Sequence, residues 1–229
     1  MVKYREATMK KMITAGLLAG MAYMTPFTAT GKELTSLLAP YDEWYFNFFY
    51  PKALRARVTY AELLDTGAYF YRFRVLDSAI PSRSTVGIWQ GNLSAGIASF
   101  NKAKNPPQFI HFCWDSVIDK KVYETRITFS GTVWKMMLTP YPSVLDNGEQ
   151  DYHRYMLIGL APEGKVRVWL ENDNKPNIPL AGSEVIKIDT VSGDKLDMCK
   201  GITRTDFSYP YDEDIVEFIK DKKYPYGEW

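Results

Sequence analysis

"GLAPEGKVRVWL", residues 159–170, decides the fold, because it reads either as a nucleotide site or as a β-hairpin. Gly159, Gly164 and Lys165 satisfy the phosphate-loop spacing G-x-x-x-x-G-K-[S/T], and Val166 breaks it at the last position. A phosphate loop must lead into a helix whose first amides hold the anion. Here Val166, Val168 and Leu170 alternate with Lys165, Arg167 and Trp169, and period two with two β-branched residues is a strand pattern. Pro162 has no N–H to give, Glu163 would bring negative charge to a phosphate, and Val166 cannot hold Mg²⁺. The stretch reads as a hairpin whose turn is Ala161-Pro162-Glu163-Gly164, with Gly164 placed where φ is positive.

The same period extends outward. "EWYFNFFYP" (residues 43–51) is a dense aromatic run, read as a buried strand. "ARVTYAELLDTGAYFYRFRVLD" (56–77) is a second hairpin turning at Asp65-Thr66-Gly67. In "PQFIHFCWDS" (107–116), Phe109, His111 and Cys113 share one face, and Ile110, Phe112 and Trp114 the other. "KKVYETRITFS", "YHRYMLIGL" and "SEVIKIDTV" are further strands, and residues 81–107 form a long excursion rich in Gly, Ser and Asn. "GTVWKMML" (131–138) is a brief helix stopped by Pro140. "YDEDIVEFIKDKK" (211–223) is the strongest helix, with acids in its first turn and lysines in its last. Seven or eight strands predict a mainly β protein, with α+β as the alternative. Its antiparallel sheets are expected to form a sandwich or open barrel with one or two peripheral helices.

The N-terminus reads as an export signal. Lys10 and Lys11 precede an apolar run from Met12 to about Met24, and small residues follow. The run is too short and Gly-rich for a membrane span, which needs about 20 apolar residues. The expected organisation is a signal peptide over residues 1–31 and one β-rich domain over 32–229. Cleavage after Ala22 and a start at Met9 remain open. The expected location is the periplasm, or the cytoplasm if the segment is not used. No Cys lies between residues 9 and 31, so no lipid anchor is expected.

Removing residues 1–31 takes away four of the 28 basic and one of the 27 acidic residues, leaving 24 and 26, a net of −2. That balance gives no default attraction to nucleic acid. The chain has 2 cysteines, Cys113 and Cys199. In an oxidising compartment they can bridge; otherwise they are two buried thiols.

No stretch offers ready-made catalysis or a cofactor site. His111 and Cys113 are two ligand types on one strand, and a zinc site needs three or four. Asp115 is placed to orient His111, but no nucleophile has a recognisable context. The chain is therefore expected to need no cofactor and not to be an enzyme.

Three stretches carry a resemblance: residues 43–67, with Trp44, Pro51, Asp65 and Gly67; residues 106–133, with Pro107, Trp114, Ser116, Tyr123 and Glu124; and residues 155–172, with Gly159, Pro162, Gly164 and Trp169. Together they resemble a family of Gram-negative proteins, mostly predicted lipoproteins, described as a domain of unknown function. Some of its members look like immunity proteins of type VI secretion lipase effectors. The resemblance implies a protein that binds and neutralises a phospholipase or lipase toxin. The alternative is an envelope protein with a small-ligand or enzymatic role. On the first reading, Trp89 in the long excursion and Tyr209, Tyr211 and Asp212 in "YPYDED" (209–214) are candidate anchors, since interfaces favour aromatic residues.

Overall fold

The first strand is aromatic at successive positions because both of its faces are covered. In the computed structural model, which describes residues 37–94, 98–143, 148–173 and 175–229, β1 (Trp44–Pro51) points Trp44, Phe46 and Phe48 into the main core. Phe49 points the opposite way into a second cluster with Leu93, Leu157 and Trp169. The expected signal segment, residues 1–31, lies outside the described residues.

Next come β2 (Ala56–Asp65), β3 (Phe70–Phe73), β4 (Ile80–Ser82), β5 (Lys102–Ala103), β6 (Pro107–Ser116) and β7 (Lys121–Phe129). Helix α1 (Gly131–Leu138) follows, capped by the Ser130 hydroxyl, which accepts from the Thr132 N–H. Then come β8 (Tyr141–Pro142), β9 (Gln150–Asp151), β10 (Tyr155–Ala161), β11 (Lys165–Leu170), β12 (Ile178–Leu180), β13 (Ile186–Ser192) and helix α2 (Glu213–Ile219).

Two main sheets face each other. One runs β12-β11-β10-β1-β4, with β5 also paired to β1, and the other runs β13-β7-β6-β2-β3. The second sheet is antiparallel throughout. The first is mixed, because β1 lies parallel to both β10 and β4. Between them Phe46 meets Phe73 and Phe48 meets Phe112, with ring centroids 5.3 and 5.0 Å apart. The architecture is mainly β, an open sandwich, with no closed barrel among the described residues.

The opening stretch is a hairpin. β10 and β11 pair in register from Met156↔Leu170 to Ala161↔Lys165. Lys165 donates its N–H to the Pro162 carbonyl, and Glu163 (φ 64°) and Gly164 (φ 72°) both sit at positive φ. Two positive φ values in succession are the sign pattern of the tight primed turns that match strand twist. Gly164 is required twice over, since a Cβ there would lie 2.7 Å from the Tyr123 ring. Glu163 carries the left-handed strain of a non-glycine residue, and its N–H is held by Asp119 Oδ2 at 3.0 Å. Gly159 is the floor under Trp89, whose indole would lie 2.7 Å from a Cβ at that position.

The segment after β13 crosses the outer face of the second sheet as a strap. Cys199 is joined to Cys113 of β6, 86 residues away, with Cα atoms 5.4 Å apart. Ile215 of α2 packs on Leu54 and Ile118 beneath the strap.

Two stability predictions follow from this anatomy. Gly164→Ala should cost about 1–3 kcal/mol in urea unfolding, from strain and contact together, while Lys165→Ala, on an exposed side chain, should change stability by less than about 0.5 kcal/mol. Removing the disulfide by Cys113→Ser with Cys199→Ser should cost about 4–5 kcal/mol on the chain-entropy account for a loop of this length, read from the same unfolding curves with and without reductant.

Candidate functional site

Where the strap meets the turns at one end of the second sheet, three separate segments build a groove of about 290 Å³. The turn into β2 supplies Arg55 and the start of β2 supplies Arg57, the β6–β7 turn supplies Lys120, and the strap supplies Arg204, Tyr209, Tyr211 and Asp212. Local bonds fix the walls. Val117 donates its N–H to the Arg55 carbonyl at 3.0 Å, and Tyr211 donates its hydroxyl to the Ile118 carbonyl at 2.8 Å. Lys120 Nζ lies 5.1 Å from the centre of the Tyr211 ring and donates to the Tyr209 carbonyl at 3.1 Å.

The groove carries four cations, Arg55, Arg57, Lys120 and Arg204, against two carboxylates, Asp206 and Asp212. Arg55 meets Asp212 at 2.7 Å, both side chains being about half exposed. Arg57 Nη1 donates to the Arg204 carbonyl at 2.8 Å. Among the described residues, neither Arg57, Lys120 nor Arg204 is ion-paired with a carboxylate. Asp206 is turned to Ser208, whose hydroxyl and N–H hold its pKa below the ordinary value. Tyr209 stands at the rim, 68% exposed.

Of the anchors expected from the sequence, Tyr209, Tyr211 and Asp212 share this groove, while Trp89 does not. Trp89 is half-buried against Trp169 and Trp229, with centroids 5.4 and 5.9 Å away, and serves the outer face of the first sheet. Sequence reading missed Arg55, Arg57, Lys120 and Arg204. The "RAR" triplet at 55–57 was the one local signal, since period two aims both arginines to one side of a strand.

Beneath the strap, Glu124 is a buried hub. Its Oε2 accepts the N–H groups of Asp197 (2.8 Å) and Cys199 (3.0 Å), and its Oε1 lies 2.8 Å from His111 Nε2. Burial pushes its pKa up, but the two N–H donors and His111 outweigh that, and the carboxyl titrates below its ordinary value. His111 is thus oriented by Glu124, correcting the expectation that Asp115 does so. Asp115, fully buried, instead accepts the Arg204 N–H at 2.9 Å and so sets the strap beside the groove.

A second concavity, of about 720 Å³, is lined by polar groups including Asn92, Ser94, Glu171 and Asp173. Burial raises the Glu171 pKa against the opposing Ser94 hydrogen bond. His153 Nδ1 lies 3.0 Å from the Glu171 carbonyl. Among the described residues, no group of three or more His, Cys, Asp or Glu side chains could hold a metal, and no helix is long and apolar enough to cross a membrane.

The positions that carry the resemblance form the framework of the fold. Asp65, fully buried, accepts from the N–H groups of Gly67 and Tyr69 and from Asn105. Trp44 Nε1 donates to the Asn105 carbonyl. Trp114 stacks on Tyr123 at 4.7 Å and donates to Thr125 Oγ1. Ser116, Tyr123 and Tyr224 all donate to Asp119. The pattern of a family described as "Protein of unknown function (DUF2931)" matches residues 25–227, and the chain belongs to that family. No curated protein and no solved structure matches it.

A carboxylate with a lowered folded-state pKa stabilises the fold above its unfolded value, and the contribution is lost as pH falls through the folded value. Glu124 should therefore add its full stability above pH 4.5, its ordinary pKa, and lose it progressively below. Glu124→Gln should cost about 1–3 kcal/mol at neutral pH, and urea midpoints measured against pH should fall less steeply in acid for the variant than for the parent.

Proposed function

We propose that this member of the family is a binding protein that neutralises a lipase-type toxin of the type VI secretion class, and that the groove of Arg55, Arg57, Lys120 and Arg204 is the surface it offers. The observation that carries the reading is the groove itself. It concentrates Arg and Tyr, the residue types that dominate protein interfaces, on walls held by backbone bonds, so little ordering is needed on binding. The family resemblance supplies the toxin class. Lys10, Lys11 and the apolar run after them support export to the periplasm, and the Cys113–Cys199 bridge suits an oxidising compartment.

The polar cleft of Ser94, Glu171 and Asp173 favours a second reading, a small-ligand role in the envelope.

Co-expression separates the two. The full chain and a lipase encoded beside it, directed to the periplasm, should give cells whose survival requires this protein. A purified complex should dissociate in the nanomolar range, about −12 kcal/mol. Unprotected cells, with no complex at micromolar concentration, would reject the neutralising role and leave the small-ligand reading in its place.

A further inference from the structure

Asp212 already shows what this groove accepts. Its carboxylate sits in the wall, 2.7 Å from Arg55 Nη1. The remaining cations have no such partner among the described residues. Arg57 and Lys120 donate to the carbonyls of Arg204 and Tyr209, and Arg204 Nη2 lies 3.5 Å from the carbonyl of Arg74. A neutral carbonyl fills a hydrogen-bond position without compensating the charge, whereas a carboxylate does both and binds more strongly. Guanidinium forks also match carboxylates better than they match single acceptors.

We propose, resting on the reading of the groove as an interface, that it receives an acidic segment of a protein partner. The carboxylates of that segment engage Arg57, Arg204 and Lys120, and its arrival displaces Asp212 from Arg55. The exchange costs little, because an ion pair as exposed as Arg55–Asp212 contributes almost nothing to stability. The attraction is local. The chain after residue 31 has a net charge of −2, and screening confines the excess of cations to about 8–10 Å around the groove. Its volume of about 290 Å³ admits one or two side chains from a loop rather than a whole folded element. A concave site with one projecting aromatic residue, Tyr209, suits a protein loop better than a lipid surface, which calls for several protruding apolar side chains.

The test uses the full chain and a labelled glutamate-rich copolymer of Glu and Tyr as probe, with binding followed by fluorescence anisotropy. The copolymer should bind at low salt and weaken as salt rises. Arg57→Glu and Arg204→Glu should each weaken it about tenfold or more. Asp212→Asn, at an N-cap position whose side chain makes no cap hydrogen bond, frees Arg55 and should tighten it about threefold. Glu184→Gln makes the same change in net charge on an exposed residue near the far end of β7, and should change nothing. Thermal melts of each variant confirm folding.

Absence of binding would overturn the proposal. So would equal tightening by Asp212→Asn and Glu184→Gln, which would mark bulk charge as the cause. Groove-dependent binding to phosphatidylglycerol vesicles without binding to the copolymer would replace the acidic segment with a lipid surface. A toxin complex that survives Arg57→Glu with Arg204→Glu would remove this proposal and leave the neutralising role standing. Failure of neutralisation alongside groove-dependent copolymer binding would do the reverse.

Discussion

The structure beyond β13 depends on one buried carboxylate. Glu124 lies in the middle of β7, pairing in register with Cys113 on β6 and Val191 on β13, and it reaches outward from the second sheet. A buried charge is tolerated only when it is well supplied with hydrogen bonds. Glu124 takes two from the backbone of the strap and one from His111. The Cys113–Cys199 bridge holds the strap at the same point by a covalent bond. The two attachments differ in kind. The disulfide limits how far the strap can stray in the unfolded chain, whereas the carboxylate fixes which backbone atoms lie over which strand. With residues 197–199 fixed, Arg204 comes to rest on Asp115, and the helix that follows covers Leu54 and Ile118. The groove is the gap left between this strap and the turns below it.

What could be read from the sequence was whatever depends on neighbours a few residues apart. The β10–β11 hairpin was legible because Val166, Val168 and Leu170 keep period two and Pro162 to Gly164 make a turn. The faces of β6 were legible for the same reason, and Ile110, Phe112 and Trp114 do enter the core. The short helix over residues 131–138 was legible from the stop at Pro140, and the structure adds the Ser130 cap. The parallel pairing of β1 with β10 was not legible. It joins Phe46 to Met156 across 110 positions, and the order of strands in a sheet leaves no periodic trace in either segment. The left-handed backbone at Glu163 was hidden too, because its compensation comes from Asp119, far away in the chain.

The candidate site was legible in part. The aromatic, Pro-containing segment led to Tyr209, which is exposed, and to Tyr211, which is half-buried with its hydroxyl on the Ile118 carbonyl. The same reasoning failed for Trp89, since an excursion without periodicity looks exposed whether it hangs free or lies flat on a sheet. Gly159, bare beneath the indole, held the clue, but nothing local in the sequence ties that glycine to Trp89. The four cations were invisible as a group because they come from three segments that only the strap brings together.

This division of labour bears on how such a protein can change. The residues that carry the family resemblance are those whose loss the fold can least bear. Asp65 organises a buried turn, Trp114 and Tyr123 stack, and Gly159 and Gly164 have no room for a side chain. Replacing any of them leaves a cavity, a clash or an unpaired buried polar group, each costing a large share of the stability of a typical domain. The groove residues are under no such constraint. Arg55, Arg57, Lys120, Arg204, Tyr209 and Asp212 are all exposed, and substitutions at exposed positions usually move stability by no more than about 0.5 kcal/mol. A rigid frame can thus carry a surface free to follow the charge pattern of whatever it must bind. Specificity is a difference between affinities, and a change of sign at one groove position alters that difference without disturbing the fold. The physics that makes the framework recognisable across a family is therefore the same physics that leaves an exposed groove unmarked in a single sequence.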